Sequence, residues 1–170
     1  MGVAFEPTED ADDNLPPLNV DWNFLLAELE NQDNTFLKKH LKENVRPLIR
    51  IRNIVDDKGF NLLHHAVLKG VPGKVGVLID LFNSGIYELN LSTADKMLSE
   101  WINGRTNGDR FTPLHFASFK GNINAIEMLI NHGADVHLTN QFGLNMLHVA
   151  AQGDQAPSLY LFKRLKVNIN

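Results

Sequence analysis

Seven histidines are the side chains of this 170-residue sequence best suited to chemistry, since imidazole ligates metals and moves protons near neutral pH. Their spacing sorts them. His64, His115 and His148 each stand one residue after a Leu and two before an Ala, with a residue able to cap a helix (Asn61, Thr112, Asn145) three positions earlier. His65 follows His64 directly and so points elsewhere on a helix. His40, His132 and His137 have no partner at metal-ligand spacing. The absence of cysteine excludes disulfides, thiolate metal sites and cysteine nucleophiles, and it fits a reducing compartment. No Gly-rich phosphate loop, no Gly-x-Ser-x-Gly elbow and no pair of carboxylates with a workable geometry occurs. The sequence predicts no enzyme, no metal site and no cofactor.

The elements that position these histidines are short. In "FTPLHFASFKG" (111–121), Thr112 can cap the first turn, Pro113 suits the first helical position and Gly121 suits the left-handed stop. Barely two turns lie between them, too few to be stable alone in water, so another element must stack on them. Self-similarity supplies it. "NQFGLNMLHVAAQG" (140–153) repeats "NGDRFTPLHFASFK" (107–120) at a distance of 33 residues, and "DDKGFNLLHHAVLKG" (56–70) has the same build, with His64 lying 51 residues before His115. A second helix follows in "NINAIEMLINHGADVH", where Ile123, Ile126, Leu129 and Ile130 recur at helical spacing. The excess between the first two copies falls between about residues 80 and 105. It contains "STADKMLSEWING", an expected extra helix capped near Ser92 or Thr93, with Met97, Leu98, Trp101 and Ile102 apolar and Gly104 as its stop. Upstream, Trp22, Leu25, Leu26 and Leu29 share one helical face, and Phe36, Leu37, His40 and Leu41 another.

The 33-residue period and the run Thr112-Pro113-Leu114-His115-Phe116-Ala117, followed by Gly133-Ala134-Asp135-Val136, resemble the ankyrin repeat. The resemblance implies an all-α solenoid of helix-turn-helix repeats with short β-hairpin fingers, plus an N-terminal helical cap and one inserted helix. It divides the chain into an acidic disordered leader (1–20), a helical capping repeat (21–50) and ankyrin repeats over 51–170, at about 51–105 with the inserted helix, 106–138 and 139–170. It also implies that His64, His115 and His148 hold turns together by hydrogen bonds. Four departures matter. Repeats 1 and 3 lack the Pro. Arg110 stands where Gly59 and Gly143 sit, so the second finger is expected to be distorted. Gly153 comes one residue early, and "VPGKVG" leaves the start of the second helix of repeat 1 unplaced. The stretch "NQFGLNMLHVAAQGDQAPSLYLFK" (140–163) further resembles the ankyrin region of ciliate-like Asp-His-His-Cys palmitoyltransferases, and this implies a substrate-recruiting part of a larger membrane enzyme.

Composition bounds the partners. Residues 1–33 hold nine acidic side chains and no Lys or Arg, against a net charge of −4 for the chain. The basic segment Lys38, Lys39, Lys42, Arg46, Arg50 and Arg52 is small beside that balance, and no nucleic-acid role is expected. No apolar stretch approaches the ~20 residues that span a bilayer, so direct membrane insertion is not expected. The expected location is the cytoplasm, or the cytosolic face of a membrane protein if the chain is part of a longer one. A protein or peptide partner is expected, since ankyrin-like stacks bind through finger tips and the exposed side of the first helix. Carried onto this chain, those contact positions are Lys58, Phe60, Leu68 and Lys69 in repeat 1; Asp109, Phe111, Phe119 and Lys120 in repeat 2; and Gln141, Phe142, Leu144 and Gln152 in repeat 3. Phe60, Phe111 and Leu144 either meet the partner or pack inward beneath the fingers. Trp101 on the inserted helix is a further candidate anchor. Finally, "APSLYLFKRL" has Leu159, Leu161, Phe162 and Leu165 apolar around more than one side, so a further repeat or a docked partner is expected on the C-terminal end.

Overall fold

The computed structural model describes residues 21–44, 54–89 and 94–166. The acidic leader, Arg46, Arg50 and Arg52, the expected cap at Ser92 or Thr93, and residues 167–170 lie outside them. Among the described residues the regular structure is helical, with one isolated bridge between Val55 and Asn61. The helices are α1 (Trp22–Glu30), α2 (Thr35–Asn44), α3 (Leu62–Lys69), α4 (Lys74–Leu89), α5 (Ala94–Ile102), α6 (Pro113–Lys120), α7 (Ile123–Asn131), α8 (Met146–Gln152) and α9 (Ala156–Arg164).

Helices α3, α6 and α8 begin as their sequences dictate. The side chains of Asn61, Thr112 and Asn145 accept from the orphan N–H of the histidine three residues on. At the other end of α6, Gly121 turns left-handed with φ 67° and its N–H reaches the Ala117 and Ser118 carbonyls. With eight residues in α3 and α6 and seven in α8, stacking must stabilise them. Helices α1, α3, α6 and α8 pack in series as an inner row, and α4, α7 and α9 as an outer row. Helix α2 lies on α1, and each outer helix lies on the inner helix before it in the chain. One core runs through the stack, from Leu25, Leu29, Leu37 and Leu41 through Leu63, Val67, Leu78 and Phe82 to Ile126, Leu129, Met146, Leu161 and Phe162. Each such side chain contributes about 1.5–3 kcal/mol by leaving water.

The inserted helix α5 packs on α4 through Met97, Trp101 and Ile102, all buried. Trp101 does not serve as an interaction anchor. It is 1% exposed and stacks on Phe82 with ring centroids 4.9 Å apart, while its backbone carbonyl accepts from Asn61 Nδ2 at 3.0 Å. Its indole fills the space that the inserted segment opens beside α4, and the sequence pattern alone does not distinguish that from an exposed anchor.

"VPGKVG" also finds its explanation. Helix α4 starts at Lys74, whose side chain is 1% exposed, and the ammonium donates to the carbonyls of Glu28 and Asn31 and to Asn34 Oδ1. A cation thus sits at the C-terminal end of α1, where carbonyls lack helical partners and the dipole favours positive charge. Burial draws the lysine below its ordinary value, opposed by the Glu28 and Asp33 carboxylates. The α1–α2 turn is tied to repeat 1 through this one side chain.

Gly153 is explained by space. Asp154, with φ 53°, takes the left-handed position that Gly70 and Gly121 hold after α3 and α6, while Gly153 has an ordinary φ of −81°. A Cβ on Gly153 would lie 2.3 Å from the Phe119 carbonyl oxygen, so only glycine lets α8 approach the end of α6. Gly153→Ala is therefore expected to destabilise by about 1–3 kcal/mol in urea unfolding, the usual cost of overpacking; an unchanged or raised midpoint would show that the two helices can part freely. Lys74→Met is expected to cost about 3 kcal/mol by stranding its acceptors. Amide exchange should then show α1 and α2 losing protection before α6 and α8 do.

Candidate functional site

The three signature histidines form a ladder. The backbone N–H of the capping residue donates to Nδ1 of its own histidine: Asn61 to His64 at 3.0 Å, Thr112 to His115 at 3.1 Å and Asn145 to His148 at 3.2 Å. A nitrogen that accepts carries no proton, so the neutral ring must carry it on Nε2. That second nitrogen donates to the next repeat, from His64 to the Phe111 carbonyl at 3.0 Å and from His115 to the Leu144 carbonyl at 3.1 Å. His64 and His115 are 0% and 1% exposed, and burial is the main reason that both imidazoles titrate low, with the accepting carbonyls opposing. His64 is pushed down to about 4. Both rings have both nitrogens engaged, leaving neither free to ligate a metal or take a substrate proton. Among the described residues, no group of three His, Asp or Glu side chains could hold a metal ion.

The fingers precede these helices. In the first, Asp56 Oδ1 accepts from the N–H groups of Lys58 and Phe60, and Asp56 N–H closes the turn on the Phe60 carbonyl. Asn140 does the same with Phe142 and Leu144 in the third. Gly59 and Gly143 take φ 78° and 73° there. In the second finger Arg110 adopts the same left-handed conformation, φ 62°, and the closing bond runs from Thr106 to Phe111, so that turn is one residue longer. The distortion expected from Arg110 is thus a widened turn. Successive fingers are joined by backbone bonds from Asn107 N–H to the Lys58 carbonyl (2.9 Å) and from Gln141 N–H to the Asp109 carbonyl (3.0 Å).

The candidate contact residues fall into three groups. Lys58, Lys69, Asp109, Lys120, Gln141 and Gln152 are exposed, but several are already engaged. Lys69 pairs with Glu30, Lys120 donates to the Leu68 carbonyl at 2.7 Å, and Gln141 donates to Asp109 Oδ1 at 2.6 Å. Phe60, Leu68, Phe111 and Leu144 are half-buried. Phe60 stacks on Phe116 at 5.5 Å, and Phe111 lies against Phe116 at 5.3 Å and His115 at 5.8 Å, so both rings cover the finger bases. Phe119, at the end of α6, and Phe142, in the third finger, are 48% and 67% exposed.

Sequence reasoning missed a row of rings. Trp22, His65, Phe60, Phe116 and Phe111 are all half-buried and touch in that order, with centroids 5.3–5.7 Å apart. His65 Nε2 meets Asp56 Oδ2 at 2.9 Å. Burial alone would raise the Asp56 carboxyl, but the Phe60 and Lys58 N–H groups and the His65 ring outweigh it and hold it below the usual range. His65 and Phe116 occupy the position after the signature histidine in successive repeats, which was the available signal.

Comparison with known proteins agrees with this geometry. Residues 84–170 match the sequence profile of ankyrin repeats, in three copies. The human Notch-regulated ankyrin repeat-containing protein is 30% identical over 92 residues, which cover 51% of this chain and 81% of that protein. The human transient receptor potential cation channel subfamily A member 1 is 29% identical over 133 residues, 74% of this chain and 10% of the channel. Among solved structures, a chain of the yeast ribosomal protein Rps3 in complex with its chaperone Yar1 superposes with a TM-score of 0.68 at 20% identity, covering 87% of this chain and 95% of that one.

The ladder makes stability depend on pH in a definite direction. Because folded His64 titrates near 4 and an unfolded histidine near 6.5, acidification protonates the unfolded chain first. Stability is full above about pH 6.5 and falls as pH drops towards 4, by roughly 3 kcal/mol from His64 alone. The Asp56 contribution is lost only at lower pH, below its ordinary 3.8. Urea midpoints are expected to drop steadily through that upper window, and less steeply in His64→Gln. A flat profile would mean that the buried imidazoles accept a proton at no cost.

Proposed function

Because the chain belongs to the ankyrin-repeat family, a class of protein-interaction module, we propose that it binds a protein or peptide across its finger tips and the exposed side of its inner helices. The observation that carries the reading is the pair Phe119 and Phe142. Phe60, Phe111 and Phe116 lie against one another, whereas Phe119 and Phe142 are 48% and 67% exposed. Exposed aromatics surrounded by polar groups are the residues that dominate interface energies. Lys58, Asp109, Lys120, Gln141 and Gln152 are the exposed polar candidates for the same surface, and Phe60, Phe111, Leu68 and Leu144 the half-buried apolar ones.

The recruiting region of a larger membrane palmitoyltransferase gains no support. The stretch that suggested it, 140–163, is accounted for by repeat 3 itself. There Asn140 closes the finger, Asn145 caps α8, Gly153 makes room for Phe119, and Leu161 and Phe162 fill the core. Among the described residues no helix is long and apolar enough to cross a membrane.

The test uses the full chain as bait in an extract of its source cells, beside Phe119→Ala and Phe142→Ala. A partner that binds this surface should be retained by the wild type and weakened by about 2 kcal/mol or more in either variant, with melting temperatures nearly unchanged. Equal retention by all three proteins would place the interaction elsewhere, and loss of folding in a variant would assign its ring to the core.

A further inference from the structure

Repeat 1 carries a pair that the other two repeats lack. Asp56 and His65 stand nine residues apart, as do Asn140 and Val149 in repeat 3. Asn140 closes its finger with Oδ1 alone; its Nδ2 is buried without a partner among the described residues, and Val149 is buried too. In repeat 2 Thr106 closes the finger and Phe116 stands in the place of His65. Fingers of this kind therefore close with neither a carboxylate nor a histidine beside them, so the turn does not demand Asp56 Oδ2 or the His65 ring. The pair also has a definite polarity. Burial works against the Asp56 charge, but the Phe60 N–H, the His65 ring and the Lys58 N–H hold it, and an ionised carboxylate only accepts. The neutral His65 ring must then carry its proton on Nε2, 2.9 Å from Asp56 Oδ2. Its Nδ1 is left a bare acceptor, to which no described residue donates. That ring lies between Trp22 and Phe60, at 5.7 and 5.5 Å, in the half-buried row that runs on to Phe116 and Phe111.

The geometry points to a seat for an arginine side chain of a partner protein, its guanidinium laid on the ring row at His65 and donating to Nδ1. The features of this strip attract the same chemistry. The faces of Trp and Phe rings are electronegative and draw cations, Asp56 is an ionised carboxylate within the row, and Nδ1 is a lone pair that needs an N–H. Asp21, exposed, adds a second carboxylate next to Trp22 in the chain. The lysines of this face leave the seat open. Lys69 pairs with Glu30, Lys120 donates to the Leu68 carbonyl, and Lys58 meets Asp56 through its backbone N–H rather than its ammonium. Planarity and donors decide among cations. A guanidinium stacks flat on aromatic rings and still has N–H groups for the acceptor, whereas a lysine ammonium is more strongly hydrated. A quaternary ammonium satisfies the rings and leaves Nδ1 unpaired. A neutral apolar segment leaves both the carboxylate and Nδ1 uncompensated as it covers them, at a cost that disfavours it. The inference rests on the reading that this face binds a protein, and it narrows the partner to one that presents an arginine.

The probe is the blocked tripeptide acetyl-Gly-Arg-Gly-amide, titrated at neutral pH into the isotope-labelled full chain and followed by NMR. Saturable shifts are expected at the Trp22 indole, the His65 ring and the Phe60 and Phe116 amides. The citrulline tripeptide, equal in shape but uncharged, should bind about tenfold more weakly, and the trimethyllysine tripeptide should also be weaker than arginine. Two variants borrow their design from the other repeats. Asp56→Asn keeps the Oδ1 turn that Asn140 makes in the third finger. It removes the charge and, by donating to His65 Nε2, turns Nδ1 from acceptor to donor, a change visible in the ring nitrogen shifts. His65→Phe copies Phe116, keeping the row and removing the acceptor. Each should weaken arginine about tenfold. The peptide comparison on the unaltered chain stands whether or not a variant folds. The proposal is overturned by the absence of saturable shifts, by equal binding of arginine and citrulline, by tighter binding of trimethyllysine, by shifts centred on Phe119 and Phe142, or by folded variants that bind as the wild type does. Any of these leaves the broader reading standing if a native partner is still lost with Phe119→Ala or Phe142→Ala. Arginine binding at His65 with no effect of those two variants would instead move the protein interface to the ring row.

Discussion

A neutral imidazole shared between two repeats is the constraint on which the stack depends. Once the backbone N–H of a capping residue donates to Nδ1, the proton must sit on Nε2 and that nitrogen must donate outward. The local act of starting a helix therefore prepares the bond to the next finger. His64 and His115 reach the Phe111 and Leu144 carbonyls in this way, across 47 and 29 residues of sequence. Both imidazoles are buried, so a missing partner for either ring would cost more than the bond itself contributes. Short helices that could not persist alone are in this manner locked to neighbours in a fixed register.

The same constraint separates structure from function along the chain. The buried and half-buried groups with the most chemical capacity, His64, His115 and the Asp56 carboxylate, spend it on hydrogen bonds inside the fold. Phe119 and Phe142 take no part in the ladder and stay exposed. Lys74 shows the limiting case: a fully buried ammonium serves as the clamp between the first two helices and repeat 1. Polar groups here set register and direction, while the leucine core supplies most of the favourable energy.

Much of this was legible because repetition turns three weak local signals into one strong one. Asn61, Thr112 and Asn145 at a constant distance from a histidine announce the same helix start three times, and the 33-residue spacing announces the stack. The all-α solenoid and the inserted apolar helix followed from those marks. What was not legible depended on contacts between segments that sequence spacing does not encode. The burial of Trp101 requires knowing that Phe82 lies under it. The place of Lys74 requires the α1–α2 turn to be opposite it. The row from Trp22 through His65 and Phe60 to Phe116 joins three elements whose relative rotation the pattern does not fix. Arg110 illustrates a milder limit: a missing glycine forecasts a changed turn, but not that the turn would keep its left-handed residue and widen by one.

The central claim is that the signature histidines are neutral structural links with their protons on the outward nitrogen. The most direct measurement is the long-range ¹⁵N–¹H correlation spectrum of the imidazole rings in the native protein at neutral pH, which distinguishes the tautomers by their nitrogen shifts. The account predicts His64 and His115 wholly in the Nε2–H form, with the Nε2 protons slow to exchange. Rings found in the Nδ1–H form, or as a rapidly exchanging mixture like free histidine, would contradict it.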